Sequence, residues 1–176
     1  MTLQPTDRRI VEAQLGRDIR GAVDVAHRCD CGAPDVIVTE PVLPDGTPFP
    51  TTYYLTCPLA CAAVGRLEGA GLMRELQEEL ADEEVGAAYR AAHQRYLADR
   101  QQVAAHAGTT VPSAIAQISA GGMPDRVKCL HALLAQSLAG GLGVNPIGDR
   151  TQQRLSPWWL GASCAQRWGS ERQEPS

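Results

Sequence analysis

The chain has 176 residues, six of them cysteine, and a formal net charge of -4. That length predicts one domain, and the acidic balance argues against generic nucleic-acid binding, which needs a basic surface. No apolar run approaches the roughly 18 residues of a membrane span. The opening MTLQPTDRRIVEAQL lacks the apolar core of an export signal, so the expected compartment is the cytoplasm.

Aromatic residues are few: one Phe, four Tyr and three Trp. The core must then come from Ala, Leu and Val, which suits helices. Residues 6–17 form the first predicted helix, with Thr6 as N-cap and Asp7 in its first turn. Ile10, Val11 and Leu15 give it an apolar face that would cover a sheet.

Three short runs follow with β-branched or aromatic residues between turn formers, at 23–28, 35–40 and 52–56. Cys29-Asp-Cys31-Gly-Ala-Pro34 is short enough to close an antiparallel hairpin. Pro41, Pro44, Pro48 and Pro50 fix φ and remove donors, so the second connection is a stiff loop. An antiparallel meander runs out, back and out again. It therefore brings Cys57 to the sheet end that carries Cys29 and Cys31.

Pro58 suits a first helical position, which places Cys57 at an N-cap and Cys61 one turn further on. Helix dipoles favour a thiolate there. Thiolates are the ligands soft metals take, and Zn²⁺ takes four ligands in a tetrahedron. The helix spans 58–80 with a break at Gly69-Ala-Gly71. Leu72, Met73, Leu76 and Leu80 share a side of its second half, and Glu75, Glu78 and Glu79 form a solvated face.

Asp82 caps a long helix over 83–106, with Val85, Tyr89, Ala92, Tyr96 and Val103 along one face. His93 reads as a packing histidine. The stretch 107–122 is weak, with a short helix or a linker over 112–119. Pro124 opens the next predicted helix, ended by Gly140-Gly141. Val127, Leu130, Leu134 and Leu138 form its stripe, together with His131. On that helix Cys129 would stand about 160° from His131, so the two would not act as a pair. Cys129 becomes the candidate fourth ligand.

Arg126 and Lys128, with His131, are candidates for a small anion at this helix start. The glycine-rich 140–149 stretch follows a helix and lacks the P-loop Lys-Ser/Thr, so it is no nucleotide fingerprint. Residues 151–176 read as a partly disordered tail with Trp158, Trp159, Trp168 and Cys164.

The motifs RCDCGAP (28–34), LPDGTPFPTTYYLTCP (43–58), GRLEGAGLMREL (65–76), AAYRAAHQRYLADR (87–100), GMPDRVKCLHALLAQSLA (122–139) and GVNPIGD (143–149) together resemble the bacterial family known as domain of unknown function 501. The resemblance spans roughly 6–149. It implies a cytoplasmic protein often encoded near division-initiator and exopolyphosphatase-like genes. It also implies a site that joins the meander to the Pro124 helix, with Cys29, Cys57, Cys129 and His131 as the positions that fit.

The expectation is a helix-rich α+β domain over residues 1–150, holding a three-stranded antiparallel sheet and a cysteine-rich meander at 23–61. Cys29, Cys31, Cys57 and Cys129 would hold a structural zinc, with an iron–sulfur cluster as the alternative. The function would be a metal-binding interaction or regulatory module with a protein partner. The competing expectation is a thiol enzyme acting on an anionic or phosphorylated substrate. Cys129 or Cys57 would be its nucleophile, His131 or His27 its base, and Arg126 and Lys128 its anion clamp. A helical adaptor with no site is the third.

Overall fold

The computed structural model describes residues 3–158; the expectations for Trp159, Cys164 and Trp168 lie outside them. The first helix, α1 (Pro5–Leu15), starts one residue earlier than its sequence signals suggest. Gln4 is the N-cap and Pro5 takes the first turn, so Thr6 is inside the helix. Gly16 ends it in the left-handed conformation at φ 66°, which glycine adopts without steric cost. Arg28 ties α1 to the sheet through two parallel bonds of 2.8 and 2.7 Å to the buried Asp7.

The sheet is the predicted meander, β1 (Ala22–Arg28), β2 (Pro34–Thr39) and β3 (Tyr53–Leu55), antiparallel in the order β1-β2-β3. The central β2 is buried along its whole length. Its side chains alternate between two cores, as the period of two requires. Val36 enters the main core, and Ile37 enters a smaller one with Val11, Ile19 and Ala22 under α1. The proline loop between β2 and β3 adds only a single bridge, Val42 to Pro48.

Four further helices and a 3₁₀ turn pack on the main face before the chain's last described helix. They are α2 (Pro58–Gly69), α3 (Leu72–Glu79), α4 (Glu83–His106), the 3₁₀ turn Ser113–Ile115 and α5 (Leu130–Gly140), followed by α6 (Pro146–Arg154). The break between α2 and α3 falls at Gly71, at φ 93°. The Asp82 side chain accepts from the Val85 N–H at 3.0 Å and caps α4. His93 is buried, with its Nδ1 2.8 Å from the Ser119 hydroxyl. The protein is thus α+β and helix-rich, with α5 as its central helix. Leu130, Leu133, Leu134 and Ala135 are all fully buried there.

The chain departs from its sequence signals at two places near its C-terminal half. The helix expected from Pro124 begins at Leu130, and Cys129 is its extended N-cap at φ -154°, ψ 106°. The glycine-rich stretch continues into α6, where the Asn145 side chain accepts from the Ile147 and Gly148 N–H groups, both at 3.0 Å. Leu155 and Trp158 then pack against the main core.

One titratable pair braces β1 against β2. His27 Nδ1 lies 2.7 Å from a carboxylate oxygen of Asp35, which has no exposed surface. That bond raises the imidazole above its ordinary 6.5; burial opposes the shift, and the charges of Asp35 and Asp30 add to it. A raised histidine stabilises fully below its unfolded value, and the contribution fades as pH rises through the folded one. The melting temperature of His27→Gln should therefore fall furthest below the parent near pH 6, with the gap narrowing at alkaline pH. A gap that does not change with pH would show that the pair carries no charge-linked stability.

Candidate metal centre

The hydrogen-bond register fixes where the meander's sulfurs go. The Cys29 N–H donates to Ala33 O at 3.0 Å, and the Thr56 N–H donates to Asp35 O at 2.8 Å. Cys29 and Cys57 thus leave the sheet at the same end, on either side of the Pro34 end of β2, and both are buried in the main core. Cys31 turns back on its neighbour, with its sulfur 2.7 Å from Cys29 Sγ and its N–H 3.3 Å from the same atom.

Cys57 is the N-cap of α2, as the Cys-Pro sequence predicts. Cys61 sits one turn in, with its thiol 3.6 Å from Leu55 O. Burial pushes the Cys61 thiol up to about 11, and the nearby sulfurs of Cys57 and Cys129 push in the same direction. Cys57 and Cys129, at two different helix N-termini, therefore both lie close enough to Cys61 to act on it.

Two turns beyond Cys61 on α2 stands Glu68, and it reaches the start of α5. Its Oε1 accepts from the Leu130 N–H at 2.7 Å and lies 3.2 Å from His131 Nδ1. The other ring nitrogen, Nε2, donates to the Cys61 carbonyl at 3.1 Å. Ligand atoms of Glu68, Cys129 and His131 all fall within 4.8 Å of one another, and all three residues are half-buried.

The expected separation of Cys129 from His131 is therefore wrong. It assumed that both residues were helical, whereas only His131 is. The extended backbone at Cys129 brings its sulfur within 4.8 Å of the imidazole. His131 holds the Cys129 thiol below its ordinary range, helped by the Ala132 N–H and opposed by burial. His131 is in turn pushed up to about 9, chiefly by the Cys129 sulfur, against the effect of burial and with Glu68 adding.

Sequence reasoning missed Glu68. A usable signal was present, because residues seven apart on a helix share a face and Cys61 and Glu68 are so spaced. Of the anion candidates, Arg126 and Lys128 are exposed on the turn before α5. His131 faces inward to Glu68 and Cys61.

Fold and site together define a helix-rich α+β protein with thiol, imidazole and carboxylate donors gathered where a sheet end meets two helix N-termini. The chain belongs to the family described as protein of unknown function (DUF501), whose family model matches residues 25–153 and so takes in every residue of this centre. No curated protein and no solved structure matches the chain. Among the described residues, no helix is long and apolar enough to cross a membrane.

Proposed function

We propose that the protein is a metal-binding module, with Zn²⁺ held between α2, α5 and the end of the meander. The observation that carries this reading is the convergence of Glu68, Cys129 and His131 within 4.8 Å. Bonds of about 2.0–2.3 Å in a tetrahedron put ligand atoms roughly 3.3–3.8 Å apart, so a small closure would complete the set. The His131 ring suits this role. Its Nε2–H is anchored on a backbone carbonyl, the usual arrangement for a ligating histidine, which leaves Nδ1, 3.2 Å from Glu68 Oε1, for the metal.

A mixed sulfur, nitrogen and oxygen set favours zinc over an iron–sulfur cluster, which takes thiolates. Cys57, at the N-cap of α2, is the candidate for a fourth ligand, and Cys29 with Cys31 would be a separate thiol pair. A closed centre of this kind is structural: it would clamp the N-termini of α2 and α5 to the sheet and leave the outer surface to bind a partner protein.

Elemental analysis of the full chain tests this. Near one equivalent of zinc is expected, with Cys129→Ala and Glu68→Gln both losing it while circular dichroism stays helical. No zinc uptake against a chromophoric chelator, or unchanged uptake in both variants, would remove the reading.

The placing of Cys129 within 4.8 Å of His131 supports a second reading, a thiol nucleophile with its base, the ring held through Nε2 by the Cys61 carbonyl. In that case the protein as purified would hold no metal. Cys129 would react with iodoacetamide near neutral pH well ahead of the other cysteines, and His131→Ala would abolish that lead.

A further inference from the structure

We propose that Cys29 and Cys31 form a reversible modification site, in which the two thiols close to a disulfide by exchange with a low-molecular-weight disulfide such as oxidised glutathione. The site does not rest on the zinc reading, since Glu68, Cys129 and His131 take no part in it. Cys29 Sγ and Cys31 Sγ lie 2.7 Å apart. A disulfide bond measures about 2.05 Å, so the two sulfurs need only a slight approach to bond.

The turn between β1 and β2 holds the pair in place from both sides. The Cys29 N–H donates to Ala33 O at 3.0 Å, and the Gly32 N–H donates to Cys29 O at 2.8 Å. Gly32 supplies the positive φ of 85° that the reversal needs. Arg28, fixed by Asp7, donates from Nη1 to Gly32 O at 3.3 Å. The Cys31 N–H lies 3.3 Å from Cys29 Sγ, so a hydrogen-bond donor already sits at one of the reacting atoms.

Exposure divides the labour between the two. Cys29 is 5% exposed, whereas Cys31 is half-buried between the exposed Asp30 and Gly32. A dissolved disulfide therefore meets Cys31 first. The Cys31 thiolate attacks one sulfur of the reagent, forms a mixed disulfide and releases one thiolate. The Cys29 thiolate then attacks Cys31 Sγ, the protein disulfide forms and the second reagent thiolate leaves. The pair gives up two electrons and two protons, and the reagent takes them as two thiols. Stabilisation by loop closure grows with loop length. Only Asp30 separates these cysteines, so the bond gains little from closure and stays open to reduction.

For the test, the full chain is reduced, freed of reductant, incubated with oxidised glutathione, capped with iodoacetamide and digested. Cleavage after Arg28 and after Tyr53 or Tyr54 isolates Cys29 and Cys31 from the other four cysteines. The expected peptide is lighter than the dithiol by two hydrogens, takes up no iodoacetamide, and regains both thiols in dithiothreitol. Cys29→Ser should stop at a glutathione adduct on Cys31. In Cys31→Ser, changed at the half-buried position, Cys29 should react at least about tenfold more slowly than the parent pair, and this variant decides the matter if Cys29→Ser does not fold. A parent peptide that still takes two iodoacetamide groups, an adduct that persists on Cys31 beside an unreacted Cys29, or equal rates in Cys31→Ser and the parent would overturn the proposal. If the pair reacts only after a chelator has removed bound zinc, Cys29 and Cys31 are metal ligands; the proposal then falls while zinc binding itself stands.

Discussion

Replacing Arg100 by Met should be among the most destabilising single changes in this protein, costing about 3 kcal/mol or more. Arg100 is 1% exposed, the largest fully buried side chain among the described residues. No carboxylate pairs with it there. Instead the guanidinium is spent on neutral oxygens. It donates to Ile115 O at 2.8 Å and Thr52 Oγ1 at 3.3 Å, and also to Ile118 O and Pro50 O. It stands 5.3 Å from the centre of the Tyr96 ring, which adds a cation–π attraction. One side chain thereby fastens the proline loop, the 3₁₀ turn and α4 together.

Burial lowers the Arg100 pKa, but an arginine stays charged under any ordinary condition. Methionine fills similar volume and donates nothing, so several buried carbonyls would lose their donor together. For a domain of this size the melting temperature should fall by roughly 6–12 °C, measured by thermal or urea unfolding. Arg100→Lys should recover part of the loss, because it keeps the charge but cannot serve all those oxygens at once. If the Met variant lies within about 1 kcal/mol of the parent, water or the loops themselves supply the missing donors and the fastening is nominal.

Arg100 also marks where the sequence ceases to be readable. It lies one turn after Tyr96 on the face assigned to the core, yet the apolar pattern that defines that face passes over a charged side chain. The strands, the α2–α3 break and the capped α4 were legible because each is specified by neighbours in sequence. These are alternation, paired glycines, and an Asp82 whose cap partner is three residues away. The convergence of Cys57 on the Cys29 turn was equally legible, since strand count alone decides it.

The start of α5 was not. Residues 124–129 have an acceptable helical pattern, but their backbone groups find distant partners. The Val127 N–H goes to Gln77 Oε1 at 2.8 Å, and Arg126 O takes the Tyr89 hydroxyl at 2.9 Å. The Lys128 N–H returns to Gly121 O at 2.7 Å. Glu68, 62 residues away, then serves the first helical N–H at Leu130. Tertiary bonds outbid helix propensity, which is a weak prior, and so Cys129 became an N-cap beside His131. The α6 helix was a different failure. Its local signal, Asn145 capping with Pro146 at the first position, was present but was masked by the surrounding glycines.

Those glycines permit a sharper test of packing, in which one substitution is made at two sites with opposite expected signs. A Cβ at Gly148 would run into Leu133 O and the Ser137 hydroxyl, far inside the 3.0 Å that real Cβ atoms keep. Both obstacles belong to the buried α5, and the Leu133 carbonyl is backbone, so it cannot swing aside. Gly148 is therefore the point where α6 and α5 touch through main chain. Gly148→Ala must push the two helices apart, loosening Ile147 from the core and costing about 1–3 kcal/mol or more. Gly65, inside α2, meets nothing within 4 Å and has helical neighbours on both sides. There alanine only removes freedom from the unfolded chain, so Gly65→Ala should stabilise by roughly 0.5–1 kcal/mol. Urea unfolding of the two variants beside the parent reads both signs. Equal shifts in the same direction would mean that helix propensity, and not the α5–α6 contact, governs the glycine at 148.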